Sequence, residues 1–479
     1  MSSVSPAPNI ILITVDCLRA DHLGCYGYSR NTSPNINKLA RNGVTFVNAI
    51  TNGGNTPSAF PSILASALPP IYAHEHKDII KNNTTVAEVF RSKGYSTAAF
   101  GSNPHLGGLR HYDKGFDFFY EGSWGHPSRL TNLRKTISDR IISRITSKFV
   151  LGMVSKLAIW FDAISFTFKN KPIATAEDIT SQAMEWIARQ QGSFFIWMHY
   201  MDVHAPYIPP QKYVKEFHKK KMNRLQMISL VQRSDKDMEK ISASGIQTFI
   251  DLYDASVKHV DEFIGRLVNA LGDRSENTII TITADHGDEL GEHGKTLFGH
   301  ITLYDAVLRV PLILAGAGIG KGVTFDQQVQ SLDLAPTLVN LAGITIPPTF
   351  YGMSLVRLIR GEDMAVEKGI ISVFSQVDFF ICGASADRII YSYRTSAWKY
   401  ILTETTSESG ITRVEELYHL ETDTVETENL ADVEKGEVLK LKLEALQAIN
   451  RFKDQKRAEL TSSEVARIRS RVKHLELNS

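Results

Sequence analysis

Two strand-end carboxylates and one hydroxyl at a helix start carry the chemistry that this chain could do. The stretch Thr281-Ile-Thr-Ala-Asp285-His286-Gly287-Asp288-Glu289-Leu-Gly-Glu-His293-Gly294 follows a β-branched run, Asn277 to Ile282, that reads as a buried strand. Ligand sites of open α/β sheets lie just beyond the carboxyl ends of the strands. Asp285 and His286 therefore offer an oxygen and a nitrogen to a hard or borderline cation. Asn9 to Val15 is a second continuous apolar strand, and it ends in Asp16. Taken singly, an Asp-His-Gly turn or an Asp after a strand is as readily a bland turn or a cap. The third feature is Thr51-Asn-Gly-Gly-Asn-Thr56-Pro57-Ser58, a Gly-rich loop running into an apolar helical segment that reaches Ser66. A hydroxyl at a helix N-terminus meets orphan amides and the positive end of the dipole, which favour its anion. An ordinary Ser/Thr N-cap has the same pattern. Ser102-Asn103-Pro104-His105 and Asp202-Val-His204-Ala-Pro206 fall at two further strand ends.

These groups need a large scaffold, and 479 residues suffice for one large domain with a smaller one. Strands are expected at 95–100, 193–200 and 309–315, and helices at 33–43, 84–93, 174–190, 249–271 and 331–343. Residues 211–240 read as an exposed, charged excursion. Residues 126–171, rich in Arg, Lys, Ile and Phe, read as a helical insertion over the site, a lid or packed pair in preference to a membrane-surface helix. After about 368 the pattern turns to short β runs of an antiparallel sheet, followed by charged helices at 437–456 and 463–473. The expected organisation is a catalytic α/β domain (1–365), a small C-terminal α+β subdomain (366–432) and a helical tail (433–479), which could pack back on the domain or against another copy.

Composition narrows the function classes. Lys and Arg total 53 against 52 Asp and Glu, so no global field attracts nucleic acid. Three cysteines, Cys17, Cys25 and Cys382, suit neither a disulfide framework nor a Cys-rich zinc site. The first apolar run is strand-sized, against the ~20 residues that span a bilayer, and no signal-like head precedes it. A cytoplasmic protein is the expectation.

In this order the motifs resemble the sulfatase branch of the alkaline phosphatase superfamily over nearly the whole chain. Asn9 to Asp16 is similar to the family's first metal strand, and Asp285-His286-Gly287 to its second metal pair. Tyr304-Asp305-Ala-Val-Leu-Arg309-Val-Pro311 resembles the closing strand. Arg394-Thr-Ser-Ala-Trp398-Lys399-Tyr and the stretch from Glu415 to Leu430 resemble the C-terminal subdomain. The fold that this implies is a large mixed, mostly parallel sheet sandwiched by helices, with a small antiparallel C-terminal subdomain.

Departures from the family pattern matter as much. Thr56 falls where sulfatases carry the cysteine that is oxidised to formylglycine, so no formylglycine is expected. Cys17 stands for a second Asp, Phe60 for the signature Arg, and Asn103 and His300 for two sulfate-binding lysines. The resemblance implies a divalent ion (Mg, Mn, Ca or Zn), one per chain, on Asp16, Thr56, Asp285 and His286. Thr56 is then the nucleophile, with Asn103, His204 and His300 binding the transferred group and one of the histidines protonating the leaving oxygen. His105 and His293 are secondary candidates, and a rarer arrangement adds a second ion on Asp202, His204 and His300. The expected activity is hydrolysis of phosphate or sulfate esters, phosphodiesters favoured, of a small-molecule, glycan or lipid alcohol. The alternatives are a true sulfatase, a phosphoryl or phosphoalkyl transferase acting on a glycan or lipid, and a non-catalytic member. A homo-oligomer is possible on this reading.

Overall fold

The computed structural model describes residues 7–69, 79–122, 174–234, 242–294, 299, 301–364, 369–375, 387–407 and 410–451. The insertion expected at 126–171, His300, Cys382 and the terminal helix expected at 463–473 lie outside them. An eight-stranded sheet runs in the order β4-β3-β5-β1-β6-β7-β2-β8. Its strands are β1 (Asn9–Val15), β2 (Gly43–Ile50), β3 (Ser96–Gly101), β4 (Phe118–Glu121), β5 (Phe194–Tyr200), β6 (Thr278–Thr283), β7 (Arg309–Gly316) and β8 (Val323–Gln330). β7 is antiparallel to both its neighbours, β6 and β2, while the other pairs are parallel. The sheet is therefore mixed and mostly parallel, with helices on both sides.

Every residue of β1, β5 and β6 is buried. Both of their faces are covered, which is why they read as unbroken Ile, Thr, Phe and Val runs. The Ala176–Ala188 and Val86–Ser92 helices both rest on β3 and β5. The first packs with the long Ala243–Ala270 helix, the second with Thr56–Ala65 and Leu334–Leu341. Capping boxes at Thr85/Glu88 and Thr175/Asp178 set where two of these helices begin.

A second, antiparallel sheet of four strands holds β9 (Ile370–Ser375), β10 (Asp387–Arg394), β11 (Trp398–Ser407) and β12 (Gly410–His419). Residues 435–451 are helical and contribute Leu441, Ala445 and Ile449 to one core with this sheet. A further apolar cluster, including Ile50, Tyr304, Phe374 and Tyr418, joins the two sheets.

Two departures from the sequence-based expectation have one cause. β4 and β8 are edge strands, and β8 (VTFDQQVQ) is half exposed; strands with a wet side lack the apolar run that betrays a central one. The stretch 211–240, expected as an exposed excursion, holds two helices, Gln211–Phe217 and Arg224–Ser234, and buries Tyr213, Val214 and Met227. No helix of the described residues is long and apolar enough to cross a membrane.

Candidate active site

Because β1, β2, β3, β5 and β6 run the same way, their carboxyl ends open on one edge of the sheet. Asp16 follows β1, Asn103 follows β3, Asp202 and His204 follow β5, and Asp285 and His286 follow β6. Thr56 arrives from β2 by way of the loop 51–55, which the second sheet clamps. Gly54 N–H donates to the Val373 carbonyl, Val373 N–H to Asn52, and Ser372 Oγ to the Thr51 carbonyl at 2.6 Å. Gly53 has no room for a side chain, since a Cβ there would lie 2.3 Å from the Ala59 nitrogen. Asn55 then caps the Thr56–Ala65 helix, its side chain accepting from Ser58 N–H at 3.0 Å. The Thr56 hydroxyl thus enters the site from the first position of a buried helix.

Asp16, Asp285 and His286 are fully buried, and ligating atoms of the three lie within 4.8 Å of one another. His286 Nε2 is 3.4 Å from Asp285 Oδ2, 3.9 Å from Asp16 Oδ1 and 3.4 Å from Thr56 Oγ1. Its Nδ1 lies 2.8 Å from the Gly287 carbonyl, which only accepts. The proton is thereby fixed on Nδ1, and the Nε2 lone pair is aimed between the two carboxylates, as for a metal-binding imidazole. Burial holds the His286 pKa down, so the ring is a neutral donor. Burial, with repulsion from Asp16, pushes the Asp285 carboxyl up to about 7. Its Oδ2 is buried without a hydrogen-bond partner. An orphaned carboxylate oxygen beside a second carboxylate and a neutral imidazole is the donor set that a hard or borderline divalent cation completes. The group fits.

Asp16 behaves differently. Burial would raise its pKa, but His204, His199 and His286 together hold it well below the usual carboxylate range. Asn103 Nδ2 donates to its Oδ2 at 2.9 Å, and His199 Nε2 stands 3.3 Å from the same atom. Asn103, expected to contact the transferred group, is thus engaged with Asp16 in this structure. Cys17, in left-handed backbone (φ 59°), donates its S–H to Asp16 Oδ1 at 3.2 Å. Burial and the surrounding carboxylates keep that thiol protonated. The residue in place of a second Asp is therefore a donor to the first one.

His204 is near Asp16 and Cys17, within the same 4.8 Å ligand-atom limit. Its Nδ1 lies 2.6 Å from the Ala205 carbonyl, and Asp16 and Asp288 raise its pKa against the opposing effect of burial. His300, one of the three residues expected to hold a second ion, lies outside the described residues. Asp202 faces His259, 3.4 Å from its Nδ1, and no group of potential ligands combines it with His204. His105 is half-buried beside the Asn103 turn. His293 is held between Glu289 (2.7 Å) and the Val425 carbonyl (3.0 Å), and it stacks on Tyr304 at 3.7 Å. His199 escaped the sequence reading. Its only signal is a polar residue inside the apolar strand FFIWMHY, in register with Thr14, two residues before Asp16.

Family models and sequence relatives assign this strand-end site to an ester hydrolase of the alkaline phosphatase superfamily. A family model described as Sulfatase matches residues 8–344, and one described as N-sulphoglucosamine sulphohydrolase, C-terminal, matches residues 291–453. The chain belongs to the sulfatase family. It is 26% identical over 386 residues to an arylsulfatase of Clostridium perfringens, spanning 74% of this chain and 78% of that protein. With iduronate 2-sulfatase of Mus musculus it shares 28% identity over 411 residues, 72% of this chain and 71% of the relative. In fold it matches the phosphonate monoester hydrolase of Agrobacterium radiobacter (TM-score 0.66, 17% identity, 94% and 96% of the two chains). It likewise matches BT4656 in complex with its substrate D-glucosamine-2-N,6-O-disulfate (TM-score 0.68, 20% identity, 94% and 98%).

Proposed function

We propose that this protein is a metal-dependent hydrolase of phosphate-type esters, phosphodiesters favoured, that works through a covalent ester on Thr56. The observation that carries the reading is the position of Thr56 Oγ1, at the start of a buried helix and 3.4 Å from the Nε2 of His286. Asp16, Asp285, His286 and Thr56 would hold one divalent ion, with Mg, Mn, Ca and Zn all suited to such donors. When bound, the ion acts as a Lewis acid that favours the Thr56 alkoxide and neutralises charge on the transferred group.

The chain's own groups supply the rest. Thr56 Oγ1 attacks phosphorus in line, its new O–P bond replacing the bond to the leaving oxygen. His204, near Asp16 and held through Nδ1 by the Ala205 carbonyl, gives the leaving oxygen its proton. Nδ1 is committed to Ala205, so Nε2 is the remaining proton-bearing atom. Water then cleaves the Thr56 ester. His300, in the position of a family lysine, remains a proposed partner of the transferred group. Asn103 acts by orienting Asp16. With neutral side chains at the two lysine positions, less fixed positive charge faces the substrate. A monoanionic ester loses less by this than a dianionic monoester.

The relatives named as sulfatases favour a second reading, hydrolysis of a sulfate monoester, also a monoanion, with Thr56 in the same role. No formylglycine is involved in either, because Thr56 has no thiol to oxidise. One panel separates the two: aryl sulfate, aryl phosphate, an aryl phosphodiester and a phosphonate monoester, assayed with wild type and Thr56→Ala after metal analysis. We expect turnover of the diester and phosphonate, and its loss in the variant. Equal turnover by both proteins overturns Thr56 as nucleophile. Sulfate turnover without diester turnover selects the second reading.

A further inference from the structure

Beside the site lies a cavity of about 650 Å³ that its chemistry does not use. Its wall includes Met201, Ile208, Pro209, Met222 and Met227, and His204 belongs to it as well. The same His204 is near Asp16 and Cys17, so the cavity opens onto the place where the leaving oxygen would stand. Its volume falls within the ~300–1,000 Å³ of sites that engulf a small ligand. In the wall Asp202 and His259 face one another at 3.4 Å, but burial pushes the carboxyl up to about 7 and the imidazole down to about 4, so they form no full ion pair, while Lys221 and Arg224 are exposed at the mouth. Thr175, Gln211 and Asn223 are the uncharged polar side chains of the wall, against three methionines, three prolines and Ile208. The thioether and proline part of the lining is an adaptable apolar surface of the kind that suits a flexible chain.

We propose that this cavity receives the alcohol part of the substrate and that this alcohol carries a flexible alkyl chain, making the substrate an amphiphilic ester. The proposal rests on the hydrolase reading above for the identity of the leaving group, whereas binding of the chain depends on the cavity alone. A chain entering past His204 places the ester oxygen against the imidazole that protonates it. Met222 and Met227 line the cavity, remote in sequence from the proposed metal-holding residues and outside the reacting cluster.

The test is a chain-length series read in two ways. Binding of methyl, n-butyl and n-octyl phosphate and of the matching sulfates to the metal-loaded full chain is measured by calorimetry, below micelle-forming concentrations. Release of the alkyl alcohol from the symmetric dialkyl phosphodiesters of the same chains, in which the leaving group is that alcohol itself, is measured alongside. Burying seven further methylenes is expected to tighten n-octyl over methyl binding by at least about tenfold. Met227→Gln and, in case that buried variant does not fold, the half-buried Met222→Gln should each remove most of the gain. Turnover of the methyl diester should stay unchanged in both. Equal affinity across the series in wild type, or glucosamine sulfate binding more tightly than n-octyl phosphate, overturns the proposal. So does a chain-length gain that survives in every folded variant, since that gain would arise elsewhere on the surface. If Thr56→Ala retains turnover while the binding gain persists, the nucleophile assignment falls and the cavity stands. If Thr56→Ala is inactive and no gain is seen, the reverse holds.

Discussion

Two of the buried clusters of charged side chains among the described residues are built on opposite accounts of charge. In the cluster that joins the two sheets, each acid faces a base. Arg394 Nη2 is 2.8 Å from Asp305 Oδ2, and Lys399 Nζ is 2.5 Å from Asp305 Oδ1 and 2.7 Å from Glu426 Oε1. Although buried, Asp305 is held well below the usual carboxylate range by Arg394 and Lys399. At the carboxyl ends of the strands, Asp16 and Asp285 share a site with neutral or hydrogen-bonded imidazoles, and one Asp285 oxygen has no hydrogen-bond partner. Complementary buried charges hold a structure together, but surplus negative charge does so only when a cation joins it. That difference sets the candidate site apart from the structural cluster.

The sharpest way to break this contrast is to remove one member from each cluster. Asp16→Ala should lower turnover by about 10³-fold or more, as expected when several kcal/mol of metal-borne transition-state stabilisation are lost. Metal content should fall with it, while unfolding in urea stays close to wild type. Lys399→Met should do the opposite. It leaves Asp305 and Glu426 buried without their shared cation, a loss of about 3–5 kcal/mol in unfolding free energy. The molecules that remain folded should keep their metal and their turnover. Similar stability losses in both variants would erase the distinction.

Much of this was legible in the sequence because strand ends are where an open sheet places ligands. Asp16, Asp285 and His286 could be read from the unbroken apolar runs before them, and Thr56 from its Gly-rich loop. What stayed hidden is what depends on side-chain direction. Asn103 turns onto Asp16, and Asp202 turns to His259 instead of His204. His199 sits inside a strand whose burial gives no hint of polarity. Tyr207, donating to Asp288 at 2.6 Å from a residue 81 positions away, is another such contact. Such pairings are set by the register of neighbouring strands, and no local pattern encodes them.

Acidity offers a finer comparison of the two clusters. In the chelated protein, Asp285 titrates near 7 when folded and near an ordinary Asp when unfolded. Between those values the folded chain binds more protons than the unfolded one, so this group's contribution to stability falls as pH rises from about 4 to 7. Asp305 works the other way. Its depressed pKa contributes stability that is present above the ordinary Asp range and is lost as pH falls through and below it. Asp285→Asn should therefore flatten the decline between pH 4 and 7 and leave the acid limb in place. Denaturation curves of the two chelated proteins across that range measure it. A decline of the same slope in Asp285→Asn would show that Asp285 is not its source.

The smallest effect tests how the hydroxyl is delivered. Asn55 stands one residue before Thr56 and caps the helix through Ser58 N–H. Asn55→Ala should cost about 1 kcal/mol of stability, the usual worth of such a cap. Most of the Thr56–Ala65 helix is fixed by burial of Phe60, Ile63 and Leu64 and does not depend on the cap. Its first turn does depend on it, and Thr56 is in that turn. The fall in kcat should therefore exceed what the loss of folded protein explains, while KM changes little, because a misplaced nucleophile affects the attack more than the binding. Asn55→Asp, which retains an acceptor, should recover the stability; recovery of kcat as well would tie the nucleophile's position to the cap. If kcat per folded molecule is unchanged in Asn55→Ala, the clamp formed by Thr51, Asn52 and Gly54 against the second sheet positions Thr56 without help from the cap.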